Sequence, residues 1–431
     1  MTEAALYICY DQMAEPLVQT QVIPYLKEIA KRGFLVHLLS FERVSLSVAE
    51  KQAMARDLVA AGIRWRHLCY HTRPSLLATL YDIAIGTLVS ISICKRHNIE
   101  IVHARSHVPA AIALVLRQLR GCRLLFDMRG LLAEEYVDSG RWKRNSLKFK
   151  LTQGMERVFF RYADGIVMLT ERIKHELTLS QPELLNKGAD IEVIPCCVDT
   201  EKFAISDDDR FAYRRKRGWD SRIILTYVGK LGGWYLTDEM ARFFAVARRE
   251  DPRFFFQILT QSDPSIMARA LAAQGVGPEH YETRCAPPSQ LPLALLSSDA
   301  GISFIRATHS KLASSPTKFG EYLAAGLPVV ASAGIGDCDR MLRDGKLGVI
   351  VDHYSETAYR SAAGELKALI DEPDIRARCR KLAEEELSLS KVGGPRYCSV
   401  YEKMMGEPIA PPAASPYRAL AARSDSGEHT L

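Results

Sequence analysis

Ser314-Ser315-Pro316-Thr317-Lys318-Phe319-Gly320-Glu321-Tyr322-Leu323-Ala324-Ala325-Gly326-Leu327-Pro328-Val329-Val330 reads as a loop, a short helix, a glycine stop and a buried strand. Ser314 or Ser315 suits the cap of that helix, and Pro316 fits its first turn, where a missing N–H costs nothing. Gly326 stands where the helix must end in a left-handed residue, and Pro328 prevents it from resuming. The start of such a helix offers unpaired amides and a partial positive charge, which together hold a phosphate. Lys318 adds a full charge there, with Thr317 beside it. Glu321 follows one turn on, on roughly the same face, where a carboxylate can take two ribose hydroxyls. A diphosphate at the tip and a ribose one turn down describe a nucleotide-sugar site.

Strands and helices alternate on both sides of this stretch, the pattern of doubly wound parallel sheets. The first half offers strands at 6–9, 35–39, 99–103, 123–126, 165–169 and 191–194. The pattern restarts at 223–228 and continues at 254–259, 300–304, 327–331 and 348–351. A chain of 431 residues is too long for one ordinary core and suits two α/β domains. The net charge of +6 permits an anionic ligand or membrane surface. It does not point to nucleic acid, since there is no arginine-rich arm and no zinc spacing. Ten scattered cysteines, with no C-x-x-C, are the usage of a reducing cytosol rather than a disulfide framework. The first nine residues enter a strand almost at once and lack the regions of a signal peptide.

Several segments resemble the retaining glycosyltransferases of the two-domain GT-B fold, family 4 type. The helix before Gly326-Leu327-Pro328-Val329-Val330 resembles the family's nucleotide-binding helix with its glutamate. Val193-Ile194-Pro195-Cys196-Cys197-Val198-Asp199-Thr200-Glu201-Lys202-Phe203 resembles the interdomain V-I-P-N-G-V-D-x-x-x-F segment. Residues 223–229 followed by Lys230-Leu231-Gly232-Gly233 resemble the strand and loop opening the second domain. Ile101-Val102-His103-Ala104-Arg105-Ser106 is similar to the first domain's strand end. The order of these segments is the family's order, from about residue 4 to residue 405.

The resemblance implies two Rossmann-like domains facing a cleft. The first spans residues 1–195 on the acceptor side, with a linker at 196–222. The second, at 223–388, binds the nucleotide sugar. A helix at 389–407 returns to the first domain, and a Pro/Ala/Ser-rich tail at 408–431 is expected to be disordered. The implied activity is transfer of a hexose-type sugar from a nucleotide diphosphate sugar, UDP favoured, with retention and without a metal. The acceptor class is a glycan or lipid-linked intermediate of cell-surface polysaccharide or glycoconjugate synthesis. Localisation is expected to be cytoplasmic, peripheral to the inner face of the membrane. A nucleotide-sugar 2-epimerase and a non-catalytic partner protein share the fold and stay open as alternatives.

Lys230, at a strand's carboxyl end, is expected to meet the leaving diphosphate, with Gly232, Ser314, Ser315, Thr317, Lys318 and Glu321 completing the donor site. Relatives carry a second basic residue just beyond Lys230; here Trp234, Tyr235 and Leu236 occupy that stretch. The family's paired glutamates are also incomplete, because counting back eight positions from Glu321 reaches Ala313. Arg306, His309 and Lys311 fill the loop instead, so the donor sugar is expected to be read differently.

On the acceptor side, His103 and Asp127 are candidates to orient the acceptor hydroxyl, with Arg105, His107 and Arg129 binding the acceptor. The alternative is that Asp127 caps a turn and His103 is a satisfied core residue. Asp207-Asp208-Asp209 and Asp337-Cys338-Asp339 read as solvated or capping groups rather than metal ligands. The apolar stretch 75–94 reads as a helix buried between a sheet and the second domain, in preference to a membrane span. The basic run Arg141-Trp142-Lys143-Arg144, with Lys148 and Lys150, suits either an anionic lipid surface or a solvated helix face.

Overall fold

A computed structural model describes residues 3–43, 47–73 and 75–406; the expected tail at 408–431 lies outside them. Two wholly parallel sheets carry the fold. The first contains β1 (Ala4–Cys9), β2 (Leu35–Glu42), β3 (Ile63–Cys69), β4 (Ile101–Arg105), β5 (Arg123–Asp127), β6 (Gly165–Met168) and β7 (Asp190–Val193), in the order β3-β2-β1-β4-β5-β6-β7. The second contains β8 (Ile223–Val228), β9 (Phe254–Leu259), β10 (Tyr281–Arg284), β11 (Ala300–Ser303), β12 (Val329–Ser332) and β13 (Gly348–Val351), in the order β10-β9-β8-β11-β12-β13. Helices cover both faces of each sheet, so central strands such as Ala-Ala-Leu-Tyr-Ile-Cys in β1 are buried throughout and need no alternation.

The expected α/β fold class is therefore present, with two strands omitted and some strand ends shifted. β3 and β10 were not expected as strands; each lies at a sheet edge. The strand expected at 99–103 runs from Ile101 to Arg105, which brings Arg105 into the sheet. The strand order reverses between β1 and β4 in the first sheet and between β8 and β11 in the second. Ligands bind at such reversals, beyond the carboxyl ends of the strands.

The segment between the sheets is more ordered than a bare linker. Asp207-Asp208-Asp209 form the first turn of a helix, Asp207–Lys216, whose Ser206 cap accepts from the Asp209 amide. Acids at its start and Arg214, Arg215 and Lys216 at its end oppose the helix dipole. The buried Arg214 side chain donates to the carbonyls of Ser297, Trp219 and Arg222, tying this helix to the second domain.

Near the chain end, Val198 pairs with Ser388 in an isolated bridge. Helix Gly394–Met405 then lies against the first domain, where Tyr397, Val400 and Tyr401 join the core beneath β1, β4 and β5.

Helix Ser75–His97 corrects the expectation of a buried helix. It packs against helix His107–Arg120 and β1, but only 28% of its most apolar window is buried. Leu76, Leu77, Leu80, Tyr81 and Leu88 are exposed. By length and composition it could cross a membrane. Its one acid, Asp82, is buried and accepts from the Tyr10 hydroxyl at 2.6 Å and the His71 amide at 3.1 Å, pinning the helix to the sheet. In the basic run, Tyr136 stacks on Trp142 and Arg144 pairs with Glu134 at 2.7 Å, while Lys148 and Lys150 are solvated.

Candidate active site

The β8–β11 reversal is filled by the helix that the opening stretch encodes. Helix Thr317–Ala324 buries Phe319, Tyr322 and Leu323 against the second sheet. The Tyr322 hydroxyl accepts from the Val228 amide at 2.9 Å and donates to the Ile302 carbonyl at 3.2 Å. One side chain thus fixes the helix to the two strands that part at the reversal. Gly326 takes the left-handed conformation (φ 77°) that ends the helix, as its sequence requires. The start differs from expectation. Pro316, not a serine, occupies the cap position and no side chain caps the helix. The Ser315 hydroxyl instead accepts from the Cys196 amide at 3.0 Å.

Lys318 points back beneath the loop that follows β8. Its ammonium lies 4.3 Å from the Tyr227 ring centroid and 4.0 Å from that of Tyr235, and donates to the Tyr227 hydroxyl at 3.2 Å. Gly229 (φ 127°) makes room for it: a β-carbon there would stand 3.0 Å from the Lys318 nitrogen. The basic residue absent from the loop after Lys230 is thereby answered by a cation from the helix. Burial pulls the Lys318 ammonium down to about 7, against the pull of Glu321. Burial likewise raises the Glu321 carboxyl to about 7, opposed by Lys318 and Lys202. Lys230 is exposed at the rim, the Gly232 amide donates to Thr237 Oγ1 at 3.0 Å, and Thr317 and Ser314 are half-buried.

The loop between β11 and this helix bridges the domains. Ala313, where the resemblance calls for a glutamate, is fully buried in the first domain's core cluster. The buried Lys311 ammonium lies 4.0 Å from the Trp234 ring centroid and 3.1 Å from Glu135 of the first domain. His309 meets Glu176 at 2.7 Å, and Thr170 donates to the Leu312 carbonyl at 2.6 Å. Asp337 accepts from the Glu171 and Arg172 amides at 2.8 and 3.2 Å, capping helix Glu171–Ser180 from across the interface. Asp339 accepts from the Gly334 amide. Both acids of that motif therefore accept backbone amides, Asp337 at a helix start and Asp339 in the turn at Gly334. Sequence reading missed Lys311, Glu135 and Asp337 as interdomain ties, because nothing local marks a pairing across more than 150 residues.

On the first-domain side, Asp127 ends β5 at the centre of a buried polar cluster. It lies 3.3 Å from Arg129, 3.8 Å from Arg105 and 3.4 Å from His103, and accepts from the Tyr397 hydroxyl at 3.1 Å. Burial alone would raise its carboxyl; the charges of Arg129 and Arg105 and the His103 contact outweigh burial and hold it well below the carboxylate range. His103 is buried against Tyr7 and bonds the Tyr401 hydroxyl at 2.9 Å. Burial also lowers its pKa, against the pull of Asp127.

Two expectations are corrected here. His103 and Asp127 are buried behind helix Gly394–Met405, among Tyr397, Tyr401 and the two arginines, rather than lying open at the crevice. His107 turns away from the interdomain crevice to pair with buried Glu156 at 2.8 Å, packed against Phe126 and Phe159. Arg129 keeps partial exposure and donates to Cys196 Sγ at 3.3 Å. Arg105 is buried, 3.7 Å from Asp11. The path Asp127–Arg129–Cys196–Ser315 links this cluster to the start of the donor helix.

Residues 18–202 match the family model described as Glycosyltransferase Family 4. No curated protein sequence matches the chain. Among solved structures, sucrose-phosphate synthase from Thermosynechococcus elongatus aligns with TM-score 0.65 and 13% identity, over 98% of this chain and 100% of that one. A glycosyltransferase from Rickettsia africae gives 0.66 and 16%, over 94% and 99%. HepE of Anabaena, in complex with UDP and glucose, gives 0.66 and 13%, over 94% and 100%. These likenesses establish the fold along almost the whole chain, and the family match covers its first domain. Together they show that the chain has the two-domain fold of these solved structures, and that residues 18–202 are similar to Glycosyltransferase Family 4.

Proposed function

We propose that this protein is a glycosyltransferase that moves a hexose-type sugar from a nucleotide diphosphate sugar, UDP favoured, to a glycan or lipid-linked acceptor, with retention. Its setting would be cell-surface polysaccharide or glycoconjugate synthesis, on the cytoplasmic side and peripheral to the membrane, where exposed Lys148 and Lys150 suit anionic lipid. The observation that carries the reading is the convergence of Lys318, Glu321 and the Gly229–Gly233 loop on the β8–β11 reversal. The complexes of HepE with UDP and with UDP-glucose support the choice of nucleotide.

In this proposal the diphosphate meets Lys230, Lys318 and the amides at the uncapped helix start, with Thr317, Ser314 and Gly232 around it. Negative charge growing on the departing phosphate is stabilised where the cations are already fixed. This electrostatic arrangement calls for no metal. Glu321 takes the ribose hydroxyls. Arg129, aimed by Asp127, with Arg105 behind it, offers charge to the acceptor side. The acceptor attacks from the face the diphosphate leaves, and a closed cleft holds both partners.

A non-catalytic reading has one observation in its favour: Ala313 packs into the first-domain core instead of presenting a carboxylate to the sugar. Thermal shift against nucleoside diphosphates, together with nucleotide release from their sugars, separates these readings. Selective stabilisation by one carrier, lost in Glu321→Ala, and slow release of that nucleotide support transfer. Conversion of the donor sugar without acceptor would point to an epimerase. Absence of any nucleotide shift would overturn the donor site.

A further inference from the structure

A second cavity, of about 160 Å³, lies in the first domain between the end of helix Ser75–His97 and the edge of the sheet. His37 from β2, Arg64, Trp65 and Arg66 from β3, and Arg96 and His97 from the helix line it. His37 and Arg64 stand near the amino ends of their strands, whereas the interdomain crevice lies at the carboxyl ends. No carboxylate lines the cavity. Among the described residues no ion pair or hydrogen bond is formed by the side chains of Arg64, Arg66 and Arg96. His37 is buried, its ring 4.2 Å from that of His97, and its Nε2 has no hydrogen-bond partner.

Basic residues at the end of a helix answer its dipole, which accounts for Arg96 and His97. Arg64 and Arg66 come from a strand and have no such explanation. Charges on an edge strand deter pairing with another sheet, but that role leaves them in open water rather than around a cavity. Burial, followed by the positive charges of His97 and Arg64, holds the His37 imidazole down at about 4. The cavity is therefore electropositive and uncompensated.

We propose that this cavity binds a phosphate group, presented either by a small phosphorylated molecule or by the headgroup of an anionic lipid. Guanidinium groups grip phosphate oxygens in pairs, and buried His37 supplies a further polar contact. The volume is enough for a phosphate and the start of its ester. The lipid source has a structural path. Exposed Leu77, Tyr81, Ala84 and Leu88 follow one another at helical spacing and lead to Ser92 and Arg96 at the cavity.

The test uses the full chain and the double variant Arg64→Gln/Arg66→Gln, both exposed positions. Binding of inorganic phosphate is measured by equilibrium dialysis. Sedimentation is measured with phosphatidylcholine vesicles, with and without phosphatidylglycerol. The wild type is expected to bind one or both probes, and the variant to bind about tenfold or more weakly. Loss confined to phosphate identifies a soluble ligand. Loss of phosphatidylglycerol binding, with phosphate displacing wild type from the vesicles, identifies the headgroup. UDP binding at the crevice should be unchanged in the variant, which separates this site from the proposed donor site. Arg96→Gln, on a different element, should weaken the same probe. Failure of both probes to bind, or equal binding by wild type and variant, would overturn the proposal.

Discussion

Lys318 and Glu321 show how one site costs stability in the free protein. Burial lowers the lysine from its ordinary 10.5 to about 7, so between those values the unfolded chain holds more protons than the folded one. Stability from this group therefore rises with pH across that window, and the full cost is felt below about 7. Lys318→Met should stabilise the free protein near neutral pH by on the order of 2 kcal/mol, with the gain fading toward pH 10. The same variant should lose nucleoside diphosphate binding. Glu321 behaves in the opposite sense: its carboxyl rises from 4.5 to about 7, so its contribution falls as pH climbs through that range. Glu321→Gln should gain stability above pH 7 and little at pH 4.5. Denaturant titrations at several pH values check both, and parallel wild-type and variant profiles would refute the assignment. The identities of these residues were legible because a helix start, a glycine stop and a proline are local chemistry. That Lys318 folds back under aromatic rings to supply a loop's missing cation was not, since Tyr227 and Tyr235 lie about 90 residues away.

Elements were legible where burial is symmetrical and obscure where it is not. Central strands read as apolar runs because helices cover both faces; the two missed strands, β3 and β10, sit at edges and carry Arg64, Arg66, Glu282 and Arg284. Such charges break the apolar run by which a buried strand is read. Helix Ser75–His97 was misjudged for a related reason: composition reports apolarity but not which side of a helix finds a partner. Two contacts between the domains make predictions at this scale. Asp337→Ala leaves the Thr170 cap of helix Glu171–Ser180 but removes the acceptor of its Glu171 and Arg172 amides, and should cost about 1 kcal/mol, with Asp337→Asn costing less. Ala313→Glu would force a carboxylate into an apolar cluster, so it should destabilise by roughly 3–5 kcal/mol and leave transfer no faster. A stable, faster Ala313→Glu enzyme would mean that this loop swings out of the first domain in the working state.

At the scale of the molecule, the chain's last helix belongs to its first domain. Tyr401 bonds His103 and Tyr397 bonds Asp127, so the polar cluster under the acceptor side is closed by residues about 300 positions away. The same helix sets Val400 and Met404 into the core that Ile101, Leu125 and Val167 share. The first sheet therefore cannot complete its interior from residues 18–202 alone, although those residues carry the family match. Tyr397→Phe removes one donor from a buried carboxylate and should cost about 1–3 kcal/mol, lowering the melting temperature by several degrees. A chain ending at Ser388 loses the whole contact, exposing an imidazole, a carboxylate and an apolar sheet face together. It should fail to show a cooperative transition for the first domain, while the second, whose core clusters draw on residues between Val198 and Leu387, retains its own. Adding a peptide of residues 389–406 in trans should restore the lost transition. A truncated chain that melts like the full one would show instead that the helix merely covers an already folded domain, and that Asp127 is held by its arginines alone.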